Sequence, residues 1–125
     1  MRVLLVNMPW ISLGRPAIGV SLLKASLQAE GHDCRVAYGN LLLAGRVGRE
    51  DYELVCEGLS AAFFAGDWLF AQHLFGQQLD LDAYVATLHH YLDGDQRFAR
   101  VLRLRAEVGP FLEACLERFG VAGYD

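Results

Sequence analysis

MRVLLVNMPWISLGRP, residues 1–16, is the stretch whose reading decides the fold. Val3, Leu4, Leu5 and Val6 form a continuous apolar run inside Arg2–Asn7, the pattern of a strand covered on both faces, as in a parallel sheet. The run stops at Asn7-Met8-Pro9, and a loop continues to Arg15-Pro16. Helical periodicity then takes over. Ile18, Leu22, Ala25 and Ala29 share a face, with Val20, Leu23 and Leu27 beside them. Pro16 suits a first helical turn, where a missing N–H costs nothing, and Gly31 suits the left-handed residue that ends a helix. A second strand is expected at Asp33–Tyr38. Strand, loop, helix, glycine, strand is a parallel β-α-β unit with a right-handed crossover. Ligands of open parallel sheets sit beyond the carboxyl ends of the strands, which puts the Met8–Pro16 loop at the expected binding edge.

Working outward, the chain of 125 residues is long enough for one domain, and its hydrophobic fraction of 54% excludes a disordered class. A net charge of −4 argues against a nucleic-acid partner. Arg97, Arg100, Arg103 and Arg105 recur at helical spacing among apolar positions, the mark of a solvated helix face. No apolar segment reaches the length of a membrane span, and Pro9 follows the first run too soon for a signal peptide. Cys34, Cys56 and Cys115 form no disulfide framework, which fits reduced thiols. A cytoplasmic location and no membrane partner are therefore expected.

The character changes after the second strand. Residues 40–48 predict one or two helical turns broken by glycines. Tyr52, Val55, Cys56 and Leu59 predict a helix from 51 to about 62 with Asp51 as its cap. The densest aromatic stretch runs from Phe63 to Gly76, and reads either as a partner surface or as a buried knot where the helices meet the sheet. Leu81, Tyr84, Val85, Leu88 and Leu92 make a further stripe ended by Asp93-Gly94, and a last helix runs to Gly120 with a kink or break at Gly109-Pro110. The expected class is α/β. It comprises a partial, Rossmann-like β-α-β core (1–40), a helical insertion (41–120) and the lead-in to another strand (121–125), together the front part of a doubly wound domain.

The candidate site residues lie at the carboxyl edge. Asn7, Met8, Pro9, Trp10, Ser12 and Arg15 belong to the first loop, and Asn40 follows the second strand. The loop has neither G-x-G-x-x-G nor Gly-Lys-Ser/Thr, so it lacks the glycines of a dinucleotide or phosphate cradle. Trp10 offers a flat apolar face to a ligand or packs over the sheet end, and Arg15 can donate to carboxylate or phosphate. Asn40 stands where dinucleotide-binding folds use an acid, so it either hydrogen-bonds a ligand or caps the next helix. His32, His73, His89 and His90 have no metal-binding spacing, and no nucleophile–base pair or iron–sulfur spacing appears. Bond chemistry by this segment alone is not expected.

Several fragments in order resemble one family. They are Val3–Trp10, Arg15-Pro16, Gly19–Lys24, Glu30-Gly31-His32, Asn40-Leu41, Tyr52-Glu53-Leu54, Gly66–Ala71 and Leu74-Phe75-Gly76. Together they look like the N-terminal cobalamin-binding domain of the radical SAM C-methyltransferases that mature ribosomally made peptides. The resemblance implies a Rossmann-like cobalamin module whose ligand meets Asn7, Met8, Pro9, Trp10, Ser12, Arg15 and Asn40. It also implies a precursor peptide as partner of the whole enzyme, and S-adenosylmethionine with a 4Fe–4S cluster in a barrel beyond these residues. Other cobalamin domains carry Asp-x-His-x-x-Gly after their first strand. The loop here has no His, so cobalt would face Trp10, a neighbour or water. Two other classes stay open: a non-catalytic protein- or peptide-interaction domain, and a Rossmann-like small-molecule domain of another enzyme class.

Overall fold

The computed structural model describes residues 1–76, 81–92 and 96–120. The protein is mixed α/β, with one parallel two-stranded sheet beside a larger helical part. β1 (Arg2–Asn7) and β2 (Asp33–Tyr38) pair in register from Arg2 against Asp33 to Asn7 against Tyr38. α1 (Ile18–Ala29) makes the crossover and packs on both strands. It ends in a Schellman motif. Gly31 takes φ +83°, its N–H donates to the Gln28 carbonyl at 3.0 Å, and the His32 N–H donates to the Leu27 carbonyl at 3.0 Å.

The start of α1 differs from expectation. The helix begins at Ile18, and Pro16 lies before it, its carbonyl accepting from the Ile18 N–H. Its apolar stripe also faces outward. Ile18, Leu22 and Leu23 are 61%, 65% and 56% exposed, and no residue of α1 is buried. The shallower Val20, Lys24 and Leu27 side is partly covered instead.

α2 (Gly39–Val47) starts directly off β2, and Gly48, at φ +87°, separates it from α3 (Arg49–Glu53). The helix expected over 51–62 is broken up. α3 runs into a π-helical turn at Leu54–Gly58, and a 3₁₀ turn succeeds it at Ala61–Phe63. The wider turn still buries Tyr52, Leu54, Val55 and Leu59. Asp51 is not a cap; it sits within α3 and pairs with Arg100.

α4 (Ala65–Phe75), α5 (Leu81–Leu92) and α6 (Gln96–Phe119) complete the chain. α6 is assigned as one helix through Pro110 and ends at Gly120, φ +60°. The Asp93-Gly94 stop and the strand lead-in at 121–125 lie outside the described residues. Two linked clusters form the core. Leu54, Trp68, Leu69, Leu88, Val101, Leu104 and Val108 make the larger one, and Leu43, Tyr52, Phe111 and Cys115 the smaller. Three of the basic residues of α6 are ties rather than a purely solvated face. Arg100 meets Asp51, Arg105 donates to Gln72 Oε1 at 2.8 and 3.1 Å while lying over the Trp68 ring, and Arg97 reaches the Gly58 carbonyl at 3.4 Å. Among the described residues no single helix is long and apolar enough to cross a membrane.

Candidate functional site

Beyond β1 the chain turns through Met8, Pro9 and Trp10 into a cleft of about 420 Å³. Its other walls are Gly66, Asp67 and Phe70, from the first turns of α4. The aromatic stretch therefore meets the sheet through the first loop. Trp10 is the joint: its ring lies 5.1 Å from Tyr52 and 6.3 Å from Phe70, centroid to centroid. It also fills the place where a Cβ on Gly66 would stand, with Nε1 2.7 Å from that point. Trp10 is thus packed among Tyr52, Gly66 and Phe70 while also lining the cleft. The Tyr52 hydroxyl donates to the Ile11 carbonyl at 2.9 Å and ties the loop down behind it.

Asn7 and Asn40 come together at the carboxyl ends of the two strands. Both are buried, at 3% and 5% exposure. Gly39 lets α2 approach, since a Cβ there would lie 3.2 Å from the Asn7 carbonyl oxygen and 3.6 Å from the Phe111 ring. Asn40 does not cap α2 through its side chain, because α2 has no side-chain cap hydrogen bond. Four buried side-chain polar atoms lack a hydrogen-bond partner among the described residues, and three are here: Asn7 Nδ2, Trp10 Nε1 and Asn40 Oδ1. Each such atom costs about 1–3 kcal/mol when left unpaired.

Ser12 and Arg15 do not join the group. The Ser12 hydroxyl accepts from the Gly14 N–H at 3.4 Å and shapes the loop. Arg15 extends into solvent, 3.9 Å from Glu57, an exposed pair of little energetic weight. Met8 is half-exposed over the cleft. Tyr52 and Gly66 pack Trp10, and Gly39 lets α2 close on Asn7 and Met8; none was legible in that role, because these contacts join distant parts of the chain.

Two titratable groups behind the loop are shifted by burial. Desolvation holds the Tyr52 phenol well above its ordinary range, and the charge of Cys56 adds to it. Burial likewise pushes up the Cys56 thiol, against a hydrogen bond from Tyr52 that lowers it. The cleft is lined by Met8, Pro9, Trp10, Gly66 and Phe70 with the Asp67 carboxyl on its wall. The lining of the cleft supplies no imidazole. No protein-family model, no curated protein and no solved structure matches the chain.

Proposed function

We propose that the chain is the N-terminal cobalamin-binding part of a radical SAM methyltransferase that C-methylates ribosomally synthesised peptides. The single observation that carries this reading is the set of unpaired buried atoms, Asn7 Nδ2, Trp10 Nε1 and Asn40 Oδ1, at the carboxyl edge of a parallel β-α-β unit. The ordered resemblance from Val3 to Gly76 supplies the identity of the ligand, and the Rossmann-like, doubly wound reading of the fold rests on it too. Met8, Pro9 and Phe70 would meet the macrocycle, Trp10 would hold their loop in place, and Asn7 and Asn40 would take its peripheral amides. Cobalamin, when bound, carries the methyl group; this segment binds and orients it. S-adenosylmethionine, the 4Fe–4S cluster and the precursor peptide belong to the rest of the enzyme.

The test is purification of the native polypeptide, from its complete gene, with hydroxocobalamin supplied, followed by its visible spectrum after gel filtration. Retained cobalamin is the expected result, and a colourless protein overturns the reading. Asn7→Leu and Asn40→Leu should each lose the cofactor without a lower melting temperature, because an unpaired polar atom is removed with them. Full retention in both variants would place the cofactor elsewhere.

A second reading has its own observation. Phe64 is 66% exposed at φ 48°, a left-handed position where a bulky residue is strained, and it borders an apolar groove of about 550 Å³ with Phe63, Tyr84 and Tyr91. That groove supports a protein- or peptide-interaction domain. A chain that binds no cobalamin but loses a partner on Phe64→Ser would favour it.

A further inference from the structure

Among the described residues, Asp67 is the one charged side chain lining the cleft of about 420 Å³ beyond β1. It is exposed, in the first turn of α4, where a negative charge suits the helix dipole. No described residue forms an ion pair or a side-chain hydrogen bond with it. The other walls are apolar and polarizable. Trp10 and Phe70 meet near edge to face, 6.3 Å between centroids at 72°, so their rings stand as two walls at a steep angle. Met8 and Pro9 continue the apolar side, and Gly66, where a Cβ would strike the Trp10 ring, adds no side chain. No lysine, arginine or histidine joins this lining among the described residues, so the chain supplies no counter-ion there.

We propose that this cleft binds a small organic ammonium, a protonated arylalkyl amine, with its apolar body among Met8, Trp10 and Phe70 and its cation at the Asp67 carboxylate. Two attractions select the charge. The ammonium donates charge-assisted hydrogen bonds to the carboxylate, and the faces of tryptophan and phenylalanine attract a cation held close to them. A neutral molecule of the same shape keeps the apolar contact and loses both attractions, and an anion is repelled by Asp67 as well. Small-ligand pockets run from about 300 Å³ upward, so the cleft suits one aromatic ring with a short chain. The proposal goes beyond the cofactor reading and does not rest on it. A cofactor over Met8, Pro9 and Phe70 would cover the same cleft, so the probe is titrated into chain free of cobalamin, and either reading can fail without the other.

The probe is phenethylammonium, titrated at low salt into the isotope-labelled full chain while the indole N–H cross-peaks are followed by NMR. Trp10 lines the cleft and Trp68 sits in the helical core, so the Trp10 cross-peak should move and saturate, and move further than that of Trp68. Phenethyl alcohol, the same shape without the charge, should bind about fivefold more weakly, and hydrocinnamate, with the charge reversed, more weakly still. Asp67→Asn keeps the size of the side chain. It should weaken the ammonium about fivefold and leave the alcohol unchanged, which also shows that the cleft is intact. The proposal is overturned if the Trp10 cross-peak does not respond or if that of Trp68 responds instead. It is equally overturned if the alcohol or hydrocinnamate binds as tightly as the ammonium, or if Asp67→Asn leaves the ammonium's affinity unchanged. The ligand series on the native chain decides between charge recognition and plain apolar binding even where the variant folds poorly.

Discussion

Gly66 has its Cβ position occupied by the Trp10 ring, and that ring is held between Tyr52 and Phe70. The ring cannot yield as the end of a flexible side chain would. Gly66→Ala should therefore destabilise by about 1–3 kcal/mol, the usual scale of overpacking. The same change in a Trp10→Ala background should cost almost nothing, a coupling that urea unfolding of the four proteins measures. Equal costs in both backgrounds would mean that the contact is absent. Tyr52 leads to a pH prediction. Its folded pKa is raised, as are those of Cys56, Cys115 and Tyr84, so the unfolded chain ionises first at each group. Stability is then at its full value below about pH 8.5, falls as the unfolded thiols ionise, and falls more steeply above about pH 10, where unfolded phenols ionise. Urea midpoints from pH 7 to 11 check this, and a flat profile contradicts it. Tyr52→Phe should lose about 1 kcal/mol at pH 7 with the hydrogen bond to Ile11, and should flatten the decline above about pH 10.

The β-α-β elements were the most legible in the sequence, because each is set by neighbours along the chain. The apolar run of β1, the glycine after α1 and the bounds of β2 needed no tertiary context. Gly31 is the sharpest case. Nothing lies within 4 Å of the Cβ that would be added there, so the backbone alone decides the cost. Gly31→Val should destabilise by about 1–2 kcal/mol, the penalty of a left-handed β-branched residue, as read by thermal unfolding. A neutral result would move the end of α1. The segment from 49 to 63 was less legible. Periodicity found the buried stripe of Tyr52, Val55 and Leu59, yet the backbone passes through α, π and 3₁₀ turns. Hydrophobic spacing does not distinguish those turns over so short a run. Asp51 looked like a cap because it precedes the stripe, and became the partner of Arg100 because α6 passes beside it.

At the scale of the whole molecule, the helical core is well covered and the β-α-β unit is not. α1 exposes Ile18, Leu22 and Leu23, and Leu41 on α2 is 56% exposed. Parallel sheets are normally covered on both faces, and small two-stranded sheets are marginal alone. Leu22→Gln with Leu23→Lys should therefore change stability by less than about 0.5 kcal/mol each while reducing dye binding and self-association. Sedimentation velocity and thermal melts decide it, and a marked loss of stability would mean that this face is packed. The sequence by itself determined the strand–helix–strand order, the parallel pairing, the loop beyond β1 and the helical character of the residues after β2. Those features come from period, glycine and proline, all local physics. Only the tertiary structure decided which face of α1 is covered and that Trp10 is packed by Tyr52, Gly66 and Phe70. It alone buried Asn7 and Asn40 at the ends of the strands while leaving Ser12 and Arg15 outside. Those outcomes turn on contacts between residues far apart in the chain, and an apolar stripe specifies that a face can be buried without specifying what will cover it.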